Sequence, residues 1–523
     1  LKKKATPPSP RSLDKFLFEA GQQCQKRLWL DYHEPVAEEP GPLRQAMSAA
    51  GEQLRQLART AFPKGVAIEA SEFAKAAAET KARLAEGALV LFDAAFAGDG
   101  VEVRCDILVV HRDNQCDLFE VKSGVKVKHR YVNDLALQAH VLAGNGYQLR
   151  AAYLLHVNHK YVHKEGADYP PMQLLRSSDV TAKVKKQLEA VGRRLQQYRQ
   201  TLADDGALQL PMGTFCTSPF PCPHLPRCRK EGPAMPLRDL PELTRQQEIE
   251  LHKEGIEDLA ALDPARPGLT FRQRRTLLCL RQDKPIVEPF VRDELRQCSK
   301  PLHFLAIAAV TDPLPRFDGQ RAWRRVPYAW AARTVHPDGR LEVASFAHAD
   351  RTDPRPAFAA SLGKHVEIGG TLIVWDDDVL ESLGSLLEDL PSHKIAVRAI
   401  VNRQHLDLMQ LFDNGVFHPQ LRTHQDLRAS AAALLGNDSG SKLPVFGEEE
   451  VLAALQKAWA PRVRSTTKEK IAAEILAGLT WASERIHELF SAFGEIAVEP
   501  PKPRPAKPRP AAKALPRPLP GQS

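Results

Sequence analysis

Apolar residues recur at helical spacing early in the chain and at alternating spacing soon afterwards. Residues 13–30, with Phe16, Phe18, Leu28 and Trp29, predict a helix and a turn. Residues 43–60, with Leu43, Ala50, Leu54, Leu57 and Ala58 on or near one side, predict a second helix. Strands are then predicted at 88–96 and 101–110, joined by the Gly98-Asp99-Gly100 turn, and at 116–122. A helix near 133–143, an apolar strand at 151–157 and a long polar-faced helix at 179–202 follow. This order predicts a central sheet with flanking helices. Residues 211–235 hold six prolines and three cysteines, too many turns for a regular element.

From 236 to 300 the pattern is mostly helical. A second alternating series begins at 303–310 and continues at 326–334, 341–347 and 371–375, before helical or loop text up to 490. The expected fold class is therefore α/β (α+β) and multidomain. The expected boundaries are a lead at 1–11, a first domain at 12–235, a helical connector at 236–300, a second domain at 301–490 and a tail at 499–523. A length of 523 residues agrees with about three domains. The tail repeats Pro-Lys-Pro-Arg-Pro, which predicts extended, flexible chain because proline fixes φ and removes donors.

Composition narrows the class further. With 43% apolar and 26% charged residues, the chain is neither mostly disordered nor collagen-like. Apolar runs such as Ala88-Leu89-Val90-Leu91-Phe92 fall far short of the ~20 residues that span a bilayer. The opening LKKKATPPSP precedes no hydrophobic stretch and does not read as a signal peptide, so a cytoplasmic location is expected. The net charge is +8, but six tail cations and Lys2, Lys3 and Lys4 account for all of it. The body is nearly neutral, so local patches must carry any argument for nucleic-acid binding. Eight cysteines are too few for a disulfide scaffold. In a reducing compartment, clustered ones point to a metal or cluster.

The strongest chemical signal is Asp106, Glu120 and Lys122. Asp106 lies in the predicted strand Val103–Val110, and Glu120 and Lys122 lie in Leu118-Phe119-Glu120-Val121-Lys122. Residues i and i+2 of a strand share a face, so Glu120 and Lys122 stand side by side while Val121 points into the core. A turn at His111-Arg112-Asp113-Asn114 would bring Asp106 beside them. Two converging carboxylates suit Mg²⁺ or Mn²⁺, and a neighbouring lysine can orient a water and offset charge on a phosphate. An Asp…Glu-x-Lys pattern also arises by chance in sheets, where the lysine is an edge charge.

This arrangement resembles the PD-(D/E)xK nucleases, and the local text is similar to their RecB-like branch. The resemblance implies a supporting glutamine on the next helix, matched by Gln138, and a further carboxylate on an earlier helix, matched by Glu52. The usual proline before the first aspartate is replaced by Cys105.

Cys216, Cys222 and Cys228 stand at two equal gaps in a proline-bent loop, and Cys24 offers a fourth ligand near the start. Four thiolates can hold a [4Fe–4S] cluster or zinc, and spacing does not separate the two. His224 is an alternative ligand within the same loop. One early and three late cysteines around a RecB-like core resemble the iron–sulfur nucleases of the Cas4 and AddB kind. That likeness implies a cluster stapling the first segment to the end of the nuclease domain. Cys105, Cys116, Cys279 and Cys298 read as buried hydrophobes.

Residues Leu17–Leu30, Glu120-Val121-Lys122-Ser123 and Pro219-Phe220-Pro221-Cys222-Pro223 together resemble the bacterial DUF2779 family over roughly residues 12–235. The same resemblance implies a second domain of DnaQ-like (ribonuclease H-like) exonuclease text. Its first strand matches Phe304-Leu305-Ala306-Ile307-Ala308, where alanines stand in place of acids. A later stretch matches Leu479-Thr480-Trp481-Ala482-Ser483, again with alanine for the acid. Asp407 stands at a retained acidic position, and Asp376-Asp377-Asp378 reads as a loop or helix start. Methyl groups cannot ligate Mg²⁺, so this domain is expected to be inactive. The alternative is a different register in which Asp376, Asp407 or Glu484 builds a working site.

The expected function is a metal-dependent phosphodiesterase, a DNA nuclease of the single-strand exonuclease type in DNA processing or defence. Asp106 and Glu120 would bind the metal, with Lys122 and Gln138 supporting the chemistry. Its expected partners are DNA, single-stranded or with free ends, and a protein docked on the second domain or the tail. The alternative is a nucleic-acid-binding or scaffold subunit with weak or no cleavage of its own. A zinc-stapled structural protein is a third reading.

Overall fold

The computed structural model describes residues 12–495 apart from 37–39, 165, 167, 367–368, 422–425, 437–444 and 446. The expected lead at 1–11 and the basic tail at 499–523 lie outside the described residues. The chain builds a mixed α/β, multidomain architecture on several sheets.

The first sheet has six strands in sequence order: β1 (Val66–Ala67), β2 (Val90–Gly98), β3 (Val101–Val110), β4 (Gln115–Lys122), β5 (Gln148–Val157) and β6 (Leu175–Asp179). The β2–β3, β3–β4 and β5–β6 pairs are antiparallel, whereas β1–β2 and β4–β5 are parallel. The β2–β3 hairpin closes through Asp99 and Gly100, both at positive φ (52° and 66°), the backbone that matches strand twist in a tight hairpin. At the β3–β4 turn, Asp113 and Asn114 likewise adopt positive φ, and His111 N–H donates to Gln115 O at 2.7 Å.

Helices flank both faces of this sheet. They are α1 (Lys15–Gln23), α2 (Gln25–His33), α3 (Pro42–Arg59), α4 (Phe73–Ala85), α5 (His129–Gly144), α6 (Pro171–Leu174) and α7 (Thr181–Ala203), while α8 (Leu225–Glu231) lies against α2 through the Lys26–Glu231 pair. A parallel β4–β5 pair requires a crossover, which α5 supplies. Leu17, Phe18, Leu118, Leu135, Leu142, Val184 and Leu195 form the core on the α1/α5/α7 side. Ala50, Leu54, Ile107, Val121 and Leu155 form the α3 side.

The second sheet has β8 (Leu302–Thr311), β9 (Arg325–Val335), β10 (Leu341–Ala347), β11 (Thr371–Val374) and β12 (Gln404–Asp407), ordered β10-β9-β8-β11-β12. The β8–β9 and β9–β10 pairs are antiparallel, and β11 runs parallel to both neighbours. The 31-residue helix Ser465–Glu495 packs Ile475, Leu479, Ile486 and Leu489 into the core on one face. Helices 355–365, 378–389 and 394–401 fill the other. Two short strands, β7 (Ile286–Val287) and β13 (Val416–Phe417), pair antiparallel. This joins the connector, whose helices 245–253 and 271–282 pack around Leu237, Leu251 and Leu277, to the second half.

The strands expected at 88–96, 101–110, 116–122, 151–157, 303–310, 326–334, 341–347 and 371–375 all form, with ends shifted by a few residues. Strands β1, β6 and β12, of two to five residues, and helix α4 went unforeseen. So short a strand carries too little alternation to be distinguished from loop.

The halves touch beside the first sheet. Trp323 Nε1 donates to Ser123 O at 2.6 Å, and Tyr169 Oη donates to Pro315 O at 2.7 Å. His163 N–H donates to Gln320 O at 2.9 Å, and Leu314 and Ala322 enter the core under α3.

Candidate active site

Ile107 of β3 pairs with Phe119 of β4, so the next step along the ladder sets Asp106 against Glu120. Asp106 Oδ2 accepts from Val121 N–H at 2.8 Å, which ties the carboxylate to β4. Glu120 is 2% exposed, too deep for an unpaired charge. Lys122 Nζ donates to Glu120 Oε1 at 2.6 Å and to Asp134 Oδ2 at 2.8 Å. Gln138 Nε2 donates to Glu120 Oε2 at 2.8 Å. Thus Asp106, Glu120, Lys122 and Gln138 come together.

Two further residues belong to the cluster. Asp134 of α5 is buried, and Lys15 of α1 reaches Glu120 Oε1 at 2.9 Å and also pairs with Asp134. The docking of the preceding residues on β3 places Lys15. Leu13 bridges to Val101, Glu102 N–H donates to Leu13 O at 2.8 Å, and the Asp14 side chain caps α1 by accepting from Leu17 N–H at 2.8 Å. Lys15 therefore starts the helix directly over the β3–β4 end. Asp134 carried a readable signal, because it stands four residues before Gln138 on one helix face. Lys15 carried none, since 105 residues separate it from Glu120.

The charges are strongly coupled. Burial opposes ionisation of Glu120, but Lys122 and Lys15 hold its carboxyl well below the usual range. Burial and then the Glu120 charge push Asp106 up to about 7 and raise Asp134. Burial works against both ammonium groups, yet the surrounding carboxylates keep Lys15 and Lys122 raised. Glu120 is thus the firmly ionised member of the three acids.

Glu52 does not join the cluster. It lies on α3 with its side chain about half exposed, accepting from Gln56 at 2.7 Å and paired with Arg55. A position on an exposed helix face satisfies it locally, and no element of the sheet draws it inward.

The cysteines converge from opposite ends of the first half. Cys24 lies between α1 and α2, Cys216 and Cys222 lie in the proline-bent loop, and Cys228 lies on α8. All four line one cavity of about 20 Å³. The loop is pinned to α1 by Gln23 Nε2, which donates to Phe215 O at 2.7 Å and Phe220 O at 2.8 Å, while Cys222 N–H donates to Cys216 O at 2.9 Å. Burial pushes the Cys222 thiol up to about 11 and raises Cys24 and Cys228, with neighbouring thiols adding to each. His224 Nε2 is instead 2.7 Å from Asp31 Oδ1. Among the described residues, no group of three or more His, Cys, Asp or Glu side chains is arranged as a metal cage.

In the second sheet Ala306, Ala308 and Ala482 line one cavity of about 390 Å³, together with Asp376, Arg325 and Glu448. Asp376 is pushed up to about 6 by burial, with Asp378 adding to it. Asp377 precedes helix 378–389 as its cap, the helix start expected for that acidic triplet. Asp407 accepts from Gln410 N–H at 2.7 Å as a helix cap, and Glu484 pairs with Arg333 at 3.0 Å.

The model of the family described as DUF2779, a domain of unknown function, matches residues 303–425. A DUF2779 segment is therefore present, but it falls on the second sheet. The match lies within residues 301–490, where the resemblance implies the family's second domain, and does not extend to residues 12–235. No curated protein matches the chain. Among the described residues no helix is long and apolar enough to cross a membrane.

Proposed function

We propose that the chain is a metal-dependent DNA nuclease, with residues 12–235 as a PD-(D/E)xK domain and 301–490 as a DnaQ-like domain that has lost its acids. The observation that carries this reading is the convergence of Asp106, Glu120, Lys122 and Gln138 where β3, β4 and α5 meet. A purely structural ion-pair network would not need two buried carboxylates and a half-buried third around two lysines, because replacing such a network by apolar residues is often neutral or stabilising.

The donor set suits a hard divalent ion such as Mg²⁺ or Mn²⁺. Asp134 Oδ1 and Gln138 Oε1 are buried beside Glu120 without hydrogen-bond partners. When bound, such an ion supplies polarisation of the scissile phosphate and a more acidic water. Asp106 and Glu120 would hold it, and Gln138 orients Glu120 by donating to it. Lys122 positions the attacking water and offsets charge developing on the phosphate. Lys15 balances the acids and fixes α1 over the site.

Cys24, Cys216, Cys222 and Cys228 would hold a [4Fe–4S] cluster, whose soft iron suits thiolate donors. The cluster would staple α1, α2 and α8 together, and its binding free energy would become folding free energy. DNA, single-stranded or with a free end, is the substrate under this reading. Degradation of labelled single-stranded DNA in Mn²⁺ by the wild type but not by Glu120→Gln tests it. Equal rates would refute the assignment.

The alanine-lined cavity of the second half favours one alternative, a nucleic-acid-binding or scaffold subunit without cleavage of its own. Binding without cleavage in either metal would select it.

A further inference from the structure

A run of stacked cations and aromatic rings leads from the candidate active site to the surface. Lys122 Nζ lies 5.3 Å from the centre of the Tyr131 ring, and the Arg130 guanidinium lies 4.9 Å from the same ring. On its other contact the Arg130 guanidinium lies 4.6 Å from the Phe220 ring. Phe220 is 49% exposed even though Arg130 lies over it. A large exposed aromatic in a loop that Gln23 ties down through Phe215 O and Phe220 O is held at fixed position rather than left to swing.

The approach is cationic. Residues 122–131, KSGVKVKHRY, contain Lys122, Lys126, Lys128 and Arg130 and no acid. Lys126, Lys128 and His129 are exposed. A backbone of phosphates is attracted to such a stretch, and a base exposed on a single strand stacks on a flat ring or guanidinium. Bases paired inside a duplex present no free face, so a platform of this kind selects unpaired strand.

We propose that Phe220, backed by Arg130, is a stacking platform for an unpaired base of single-stranded DNA whose phosphate approaches Lys122. The proposal deepens the nuclease reading and rests on it for the position of the phosphate. It also gives the cysteine loop a second task, because the loop that carries Cys216 and Cys222 carries Phe220 between them.

The test is fluorescence anisotropy of the full chain in Ca²⁺ with labelled oligothymidylate, a blunt hairpin duplex and oligouridylate. Phe220→Leu and Arg130→Gln should each weaken oligothymidylate binding about tenfold, the loss expected for one stacked base. Duplex binding should change less than about twofold, since only phosphate attraction contributes there. Phe220→Trp should bind at least as tightly as the wild type. Thermal unfolding and iron content measured on the same samples establish that the loop is intact, and Arg130→Gln lies outside that loop. Unchanged affinity in both variants overturns the platform, as does an equal loss on duplex or a loss confined to oligouridylate. Glu120→Gln separates the two readings. If no cleavage depends on Glu120 while Phe220 still governs binding, the nuclease assignment falls and the platform stands. If Glu120 governs cleavage while Phe220→Leu binds normally, only the platform falls.

Discussion

Where β3 meets β4, three acids and two lysines crowd together: half-buried Asp106 and buried Glu120 and Asp134, with Lys15 and Lys122. Where β8 runs beside β11 in the second sheet, Ala306 and Ala308 face a cavity of about 390 Å³ with Ala482 opposite. Both sheets are layered between helices. The first locks its acids between two lysines, a desolvation cost of the kind retained where chemistry or specificity requires it. The other sets small side chains and open space beside a looser group of charges, among them Asp376, Asp378, Arg325 and Glu448. Asp376, which opens on that space, is pushed up to about 6 by burial and then by Asp378, and Asp378 is paired with Arg325 at 2.9 Å. The difference teaches that similar layering does not carry function with it, and that the side chains at the strand ends decide.

The comparison breaks most sharply on activity. Glu120→Gln should lower single-strand cleavage by about a thousandfold or more, since the buried charge that organises Lys15, Lys122 and Gln138 is gone. Asp376→Asn should leave cleavage within about twofold if, as proposed, the second half supplies no step. An ion located crystallographically on carboxylates of residues 301–490 after Mn²⁺ soaking, with cleavage surviving Glu120→Gln, would reverse the contrast.

The next effect concerns the proposed staple at the four cysteines of the first half. Protein handled without oxygen should be brown and contain about four irons per chain, in line with four converging cysteines. Cys222→Ser should lose the iron and lower Tm by about 10 °C, because cluster binding closes a loop of nearly the whole first half. Stoichiometric zinc in place of iron, measured by metal analysis, would retain the staple and change its chemistry.

A third expectation is pH-dependent. Asp106 titrates near 7 in the metal-free fold. Its carboxyl must be ionised to hold a cation, so metal affinity and cleavage should rise as pH increases through about 7. The stability effect has the opposite sign. Between the ordinary aspartate value of about 4 and about 7, the folded state keeps a proton that the unfolded state has released, so metal-free stability falls as pH rises through that window. Asp106→Asn should remove this fall, seen as a higher metal-free Tm than wild type at pH 8 and little difference near pH 4.

The smallest expected effect concerns the contact between the two halves beside the proposed site. Trp323→Phe deletes the donor to Ser123 O, the residue after Lys122. It should cost about 1 kcal/mol of stability and lower kcat several-fold with KM unchanged. An unaltered kcat, measured in single turnover, would make the contact purely structural.

The sequence by itself determined the long strands and the residues lying close together along them. Glu120 and Lys122 share a face because strand side chains alternate, and Asp106 meets them because a tight turn joins neighbouring strands. The proline-spaced cysteines and the alanines at 306, 308 and 482 were equally legible, since identity alone decides whether a side chain can ligate. Only the tertiary structure decided the rest. Lys15 reaches Glu120 because Leu13 docks on β3, and Phe220 meets Arg130 because the cysteine loop folds back on α1. Glu52 was excluded for the same reason: its helix turns that face to solvent, where Arg55 and Gln56 satisfy it. Contacts between residues separated by 100 or more positions depend on how whole layers pack, and local periodicity holds no record of that packing.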